Sequence, residues 1–195
     1  MADFIKDGTG KGYLAKVNSD KEIAVRANSS PEESIISREK GDAYFANTTD
    51  TADTLTMTAT GGVMLYLQNT SRTKTMVLEK ILTSATTAGG VVKWIKNMTV
   101  TTITNHNTHI PVNLNFKSGN TADATCYSWN ETGDGMTTFT VGTVIKTFIT
   151  GVGFTQHPID GAIILGFNDS ITVNYKPVSA TPEFECGIRF HYIED

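Results

Sequence analysis

The chain has 195 residues and a mass of 21.1 kDa, with 20 acidic and 16 basic residues dispersed along it to a net charge of −4. That length predicts one domain whose core needs no staples, and the charge lacks the basic face of a general nucleic-acid binder. No apolar run approaches the roughly 20 residues of a membrane-spanning helix and no charged-then-apolar leader is visible, so we expect a soluble protein made in a cytoplasm.

The first stretch reads MADFIKDGTGKGYLAKV. Its glycines and lysine resemble a phosphate-cradling loop, but Lys11 is followed by Gly12 instead of Ser or Thr. Tyr13 to Val17 shows no helical periodicity either, so a P-loop or dinucleotide fingerprint has no helix to open. Residues 1–30 are thinner in large apolar side chains than the rest, and we expect them to form an arm with the first strands, able to lie on a neighbour. Residues 21–27 alternate as a half-buried strand, with Ile23 and Val25 on one side. Ser30, Pro31 and Glu33 then supply a cap, a first helical position and a capping box. They predict a short helix over 31–40, which Gly41 ends.

From residue 41 to 195 the chain reads as one β-sandwich domain. Residues 54–60 alternate with Leu55, Met57 and Ala59 inward, whereas 63–69 are almost continuously apolar and belong at the centre of a sheet. Further strands are predicted at 75–82, 90–96, 99–104, 110–116, 122–129, 137–150, 161–165 and 170–175. The last, 183–192, should place Phe184, Cys186, Ile188, Phe190 and Tyr192 on one core face. About ten strands joined by short turns predict an all-β, antiparallel β-sandwich of jelly-roll type, with an extended N-terminal arm and one short helix. Charged residues make up 18% of the chain, below the usual share of about a quarter, which suits a protein packed against neighbours.

Little in the sequence carries chemistry. His106 and His109 sit three apart in a polar segment, TNHNTH, which reads as a loop with solvated histidines, and no cysteine pair or H-E-x-x-H helix supports a metal site. Cys126 and Cys186 lie far apart and read as buried free thiols. Glu131, Asp134, Asp160 and Asp169 occur in turn sequences, and Glu183 and Glu185 lie in the last strand, Glu185 on its outer side. No G-x-S-x-G elbow is present, so neither a glycosidase pair nor a triad stands out, and we expect no enzyme and no cofactor. Trp94 shares a strand face with Val92. Tyr127 and Trp129, beside a glycine-containing turn, suit either packing or stacking on a sugar.

DGTGKGYLAKVNSDKEIAVRA followed by a short acidic helix and KGDAYFAN resembles the start of small structural proteins of tailed bacteriophages. Ala59-Thr60-Gly61-Gly62 leading into LYLQN, His157-Pro158-Ile159-Asp160-Gly161 and the closing Pro182 to Phe190 are similar to the same group, so the likeness spans most of the chain. The resemblance implies a virion component of jelly-roll fold, assembled in the host cytoplasm and placed on the outer capsid surface as a decoration or cement protein. The partner it implies is the major capsid protein, with a homo-oligomer, a trimer at local three-fold points, as the arrangement icosahedral shells favour, and no direct contact with nucleic acid or membrane. In that setting the arm would dock through Phe4, Ile5, Tyr13 and Val17 as apolar anchors, with Lys6, Lys11 and Lys16 facing an acidic shell and the glycines as a hinge. The alternative is a head fibre, head–tail connector or baseplate component that binds host glycan through Tyr127, Trp129 and the loop around His106.

Overall fold

The computed structural model describes residues 4–6, 14–16, 41–48, 55–56, 62–86, 88–100, 106–129, 139–140, 142–178 and 183–194. The chain divides into two compact units, Met1–Pro31 and Glu32–Asp195. In the first, β1 (Phe4–Lys6) and β2 (Leu14–Lys16) pair antiparallel, with Phe4 opposite Lys16, Ile5 opposite Ala15 and Lys6 opposite Leu14. The predicted strand at 21–27 and helix at 31–40 lie outside the described residues.

The second unit contains β3 (Ala43–Asn47), β4 (Leu55–Thr56), β5 (Gly62–Asn69), β6 (Lys74–Ala85), β7 (Gly90–Lys96), β8 (Thr99–Val100) and β9 (His106–His109). It continues with β10 (Val112–Asn113), β11 (Ala124–Trp129), β12 (Phe139–Thr140), β13 (Thr143–Thr150), β14 (Gly153–Leu165), β15 (Ser170–Pro177) and β16 (Glu183–Glu194). One sheet runs β10-β3-β16-β6-β14, with β4 also paired to β16, and the other runs β13-β7-β15-β5-β11-β9; β8 and β12 form a separate short pair. Every pairing is antiparallel.

The order of the long strands defines the topology. The chain runs outward through β3, β5, β6 and β7 and returns through β13, β14, β15 and β16. Each outgoing strand pairs with its returning counterpart: β3 with β16, β5 with β15, β6 with β14 and β7 with β13. Alternate pairs fall in opposite sheets, which is the wrapping of a jelly roll. The β-sandwich expected from the spacing of the apolar runs is therefore the fold.

Period-two burial explains why these segments are strands. On β16, Phe184, Cys186, Ile188, Phe190 and Tyr192 are all buried in one core, as the alternation predicts. On β5, Leu65 lies opposite Val173 while Val63 lies opposite Asn174, so Met64 is an extra residue at a bulge. That bulge lets Met64, Leu65 and Leu67 all enter the main core, while Val63 and Tyr66 join a second cluster with Ile95 and Met98. Across the core Tyr175 of β15 stacks on Phe184 of β16, with ring centroids 4.0 Å apart and 12° between planes. The Tyr175 hydroxyl donates to the Ala88 carbonyl at 3.0 Å, so its polar end is satisfied.

Several boundaries differ from the sequence reading. The polar loop expected at His106–His109 is an edge strand on β11, and the strand expected at 110–116 shrinks to Val112–Asn113. Pairing with β11 overrides the weak strand propensity of Asn and His. The strand expected at 137–150 divides around Gly142, where a side chain would meet the Lys96 carbonyl and the Met98 amide. The strand expected at 161–165 begins much earlier, at Gly153, and carries Pro158 within it. Proline lacks the donor a central strand needs, so its presence marks β14 as an edge.

Candidate functional site

The residues singled out in the sequence fall in three places. Phe4, Ile5, Lys6 and Lys16 lie on the β1–β2 ladder. The arm is thus a paired ladder at these positions. Lys11, Tyr13 and Val17, and with them the glycine segment, lie outside the described residues.

Tyr127 lies opposite Tyr66 on β5 and Thr108 on β9. Its ring stacks on Tyr66, with centroids 6.1 Å apart, and receives the His106 ring edge-on at 4.5 Å. Two of its surfaces are therefore used in packing. Trp129 lies opposite His106 and Ser128 opposite Asn107 in the same ladder, so His106 and Asn107 of the proposed sugar platform belong to an edge strand, while Asn105 lies outside the described residues.

His106 and His109 are not the solvated loop residues that the sequence suggests. His109 is buried and its Nε2 hydrogen-bonds the Ser128 hydroxyl. His191 is buried with Nδ1 2.6 Å from a Glu79 carboxylate oxygen. His157 is half-buried, with Nε2 3.2 Å from the Thr83 hydroxyl and its ring 4.2 Å from that of Phe148. The strand register turns each ring towards a neighbouring strand, and no group of three or more metal-ligating side chains occurs among the described residues. Burial raises the Cys126 thiol to about 12 and holds Cys186 well above its ordinary value. Both therefore remain protonated at neutral pH and behave as small apolar core residues.

The carboxylates also have structural partners. Asp169 accepts hydrogen bonds from the Asn97 side chain at 2.8 Å and the Gly166 amide at 3.1 Å, closing the turn before β15. Asp42, just before β3, accepts from Lys74 at 3.1 Å and from the Asn120 amide group at 3.1 Å. Asn113 donates to the Gly41 carbonyl at 2.6 Å, so this network ties the loop after β10 to the start of the jelly roll.

The sequence gives less warning of the lateral side formed by β13 and β14. These are the end strands of the two sheets and follow each other directly in the chain, through Gly151 and Val152. Val144, Ile145 and Ile149 on β13, Val152 in the turn, and Phe154 and Ile164 on β14 are all exposed, Ile149 by 81% and Phe154 by 68%. Several apolar residues exposed along edges that have no partner strand among the described residues make this side a candidate contact surface, whereas single ones need no explanation.

Both strands are bulged here. Val144 pairs with Ile95 and Lys146 with Trp94, so Ile145 has no opposite number. On β14, Pro158 pairs with Lys80 and Ile163 with Leu78, so residues 159–162 face Glu79 alone. Between the bulges lies a cleft of about 230 Å³ lined by Trp94, by Ile145 and Lys146 of β13, and by Pro158, Ile159 and Ile163 of β14. Lys146 holds its ammonium 4.6 Å from the centroid of the Trp94 ring. The Trp94 Nε1–H is buried without an acceptor among the described residues, a deficit of about 1–3 kcal/mol. Burial and the charge of Lys146 both hold His157 below its ordinary pKa, so the ring beside this cleft is neutral at pH 7. In the sequence, the adjacent apolar residues Val144 and Ile145 and the in-strand Pro158 were the available signals of bulged edge strands.

Comparison of the chain with protein-family models, with curated proteins and with solved structures finds no match in any of the three.

Proposed function

We propose that this chain is a non-enzymatic structural protein of a tailed-phage virion that decorates the outer capsid surface and bridges neighbouring major capsid protein subunits. The observation that carries this reading is the division of the chain into a small N-terminal unit, Met1–Pro31, and a jelly roll built from strands of Glu32–Asp195. The small unit carries an apolar and basic ladder, Phe4-Ile5-Lys6 against Leu14-Ala15-Lys16. The likeness of the opening sequence to phage structural proteins supplies the partner. The exposed apolar side of β13 and β14 supplies a second surface, and cementing needs more than one.

A stable contact buries about 1,200–2,000 Å² in total, which two surfaces on one small protein can share between two neighbours. In this reading the protein acts as a homotrimer at local three-fold points of the shell. The fibre or baseplate reading, with sugar held on Tyr127 and Trp129, has less support because Tyr127 is engaged by Tyr66 and His106.

Deletion of residues 2–12 tests the proposal. The truncated protein should remain folded by circular dichroism and should no longer sediment with particles that lack the native copy. Full occupancy of the truncated protein on particles would overturn the docking role of the N-terminal unit.

A further inference from the structure

The cleft between the bulges of β13 and β14 has features that bulk adhesion does not require. Lys146 has a cation–π partner in Trp94 but no carboxylate among the described residues pairs with it. Trp94, only 3% exposed, lines the cleft, and its Nε1–H has no acceptor among the described residues. Beside them β13 pairs only with β7, so one side of its backbone has no partner strand among the described residues.

We propose that this edge is a peptide-recognition site: an extended segment of a partner protein adds as a strand to β13 and directs into the cleft an apolar side chain and, two residues along, a carboxylate that meets Lys146. Strand addition to a free edge supplies main-chain hydrogen bonds, and pockets for alternate side chains supply selectivity. The two-residue spacing follows from the pleat, which sends positions i and i+2 to the same face. The apolar wall of Ile145, Pro158 and Ile163 accepts the first side chain. Lys146 is the cation for the second, because His157 beside it is held neutral at pH 7.

One ammonium in an apolar wall matches a singly charged carboxylate. A phosphate group carries up to two charges and three acceptor oxygens, and would call for more donors than the cleft offers. Nothing in this assignment depends on the virion reading, since it specifies the chemistry of the segment and not the protein that carries it.

Nuclear magnetic resonance of the full chain tests it. Trp129→Phe leaves Trp94 as the sole source of an indole N–H signal, because the chain has two tryptophans. The probes are acetyl-Thr-Leu-Thr-Glu-Thr-Val-amide and the same peptide with Gln or Lys in place of Glu. The Glu peptide should shift the Trp94 indole signal and the β13 amides saturably, and the Gln peptide should bind about two- to fivefold more weakly. The Lys peptide should not bind, and Lys146→Gln, at an exposed position, should abolish the preference for Glu over Gln. The proposal fails if no peptide shifts these signals at millimolar concentration, if Glu and Lys peptides act alike, or if Lys146→Gln leaves the preference intact. It fails too if the same signals broaden with protein concentration alone, which would assign the edge to a second copy of the chain.

Discussion

At the scale of single residues, the histidines show how position in a ladder decides what a side chain does. His106 and His109 belong to one short polar segment, yet β11 buries His109 on Ser128 and leaves His106 against the Tyr127 ring. The spacing of the two rings is legible in the sequence, but the partner strand that buries one of them is not. His157 allows a test with a definite sign. Burial first, and Lys146 second, lower its pKa from 6.5 in the folded state. The unfolded chain therefore binds the proton first, and the folded state loses relative stability as the pH falls from 6.5 through the folded pKa. Thermal melts at about pH 7.5 and about pH 5 should show a smaller acid-induced drop in Tm for His157→Gln than for the natural chain. An equal drop in both would mean that His157 contributes nothing to the pH dependence.

At the scale of elements, strands buried on one face were the easiest to read. The alternation of β16 named its core residues correctly, and β7 was legible to its last residue, because half-burial writes period two directly into the sequence. Edges were harder. Thr143 to Thr150 looks like any apolar strand, and only its pairing with β7 alone shows that Ile149 faces solvent. The bulges of β13 and β14, which shape the cleft, depend on register against β7 and β6, and register is a property of two strands and not one. This difference between centre and edge has a measurable consequence. Leu67, fully buried on β5, should cost about 2–5 kcal/mol when changed to Ala, whereas Ile149→Thr should stay within about 0.5 kcal/mol. Urea unfolding of the two variants provides the comparison. A large loss for Ile149→Thr would show that this edge is covered within the folded chain.

At the scale of the whole molecule, the jelly roll was legible as a class because about ten strands with turn-rich connections have few other ways to bury their apolar faces. The nesting of β3 with β16 through β7 with β13 was not legible, since strand order comes from long-range pairing. The candidate site was legible only in part: the N-terminal segment stood out by composition, while the lateral cleft required both sheets. A protein that bridges capsid subunits must be present wherever they meet, so the proposed role sets a number as well as a geometry. Quantitative mass spectrometry of purified particles, with the major capsid protein as internal standard, measures it directly. A bridging role requires copies near stoichiometric with the shell; a protein present in only a small fraction of that number would belong to the neck, tail or fibres, and the proposed capsid-bridging role would fail.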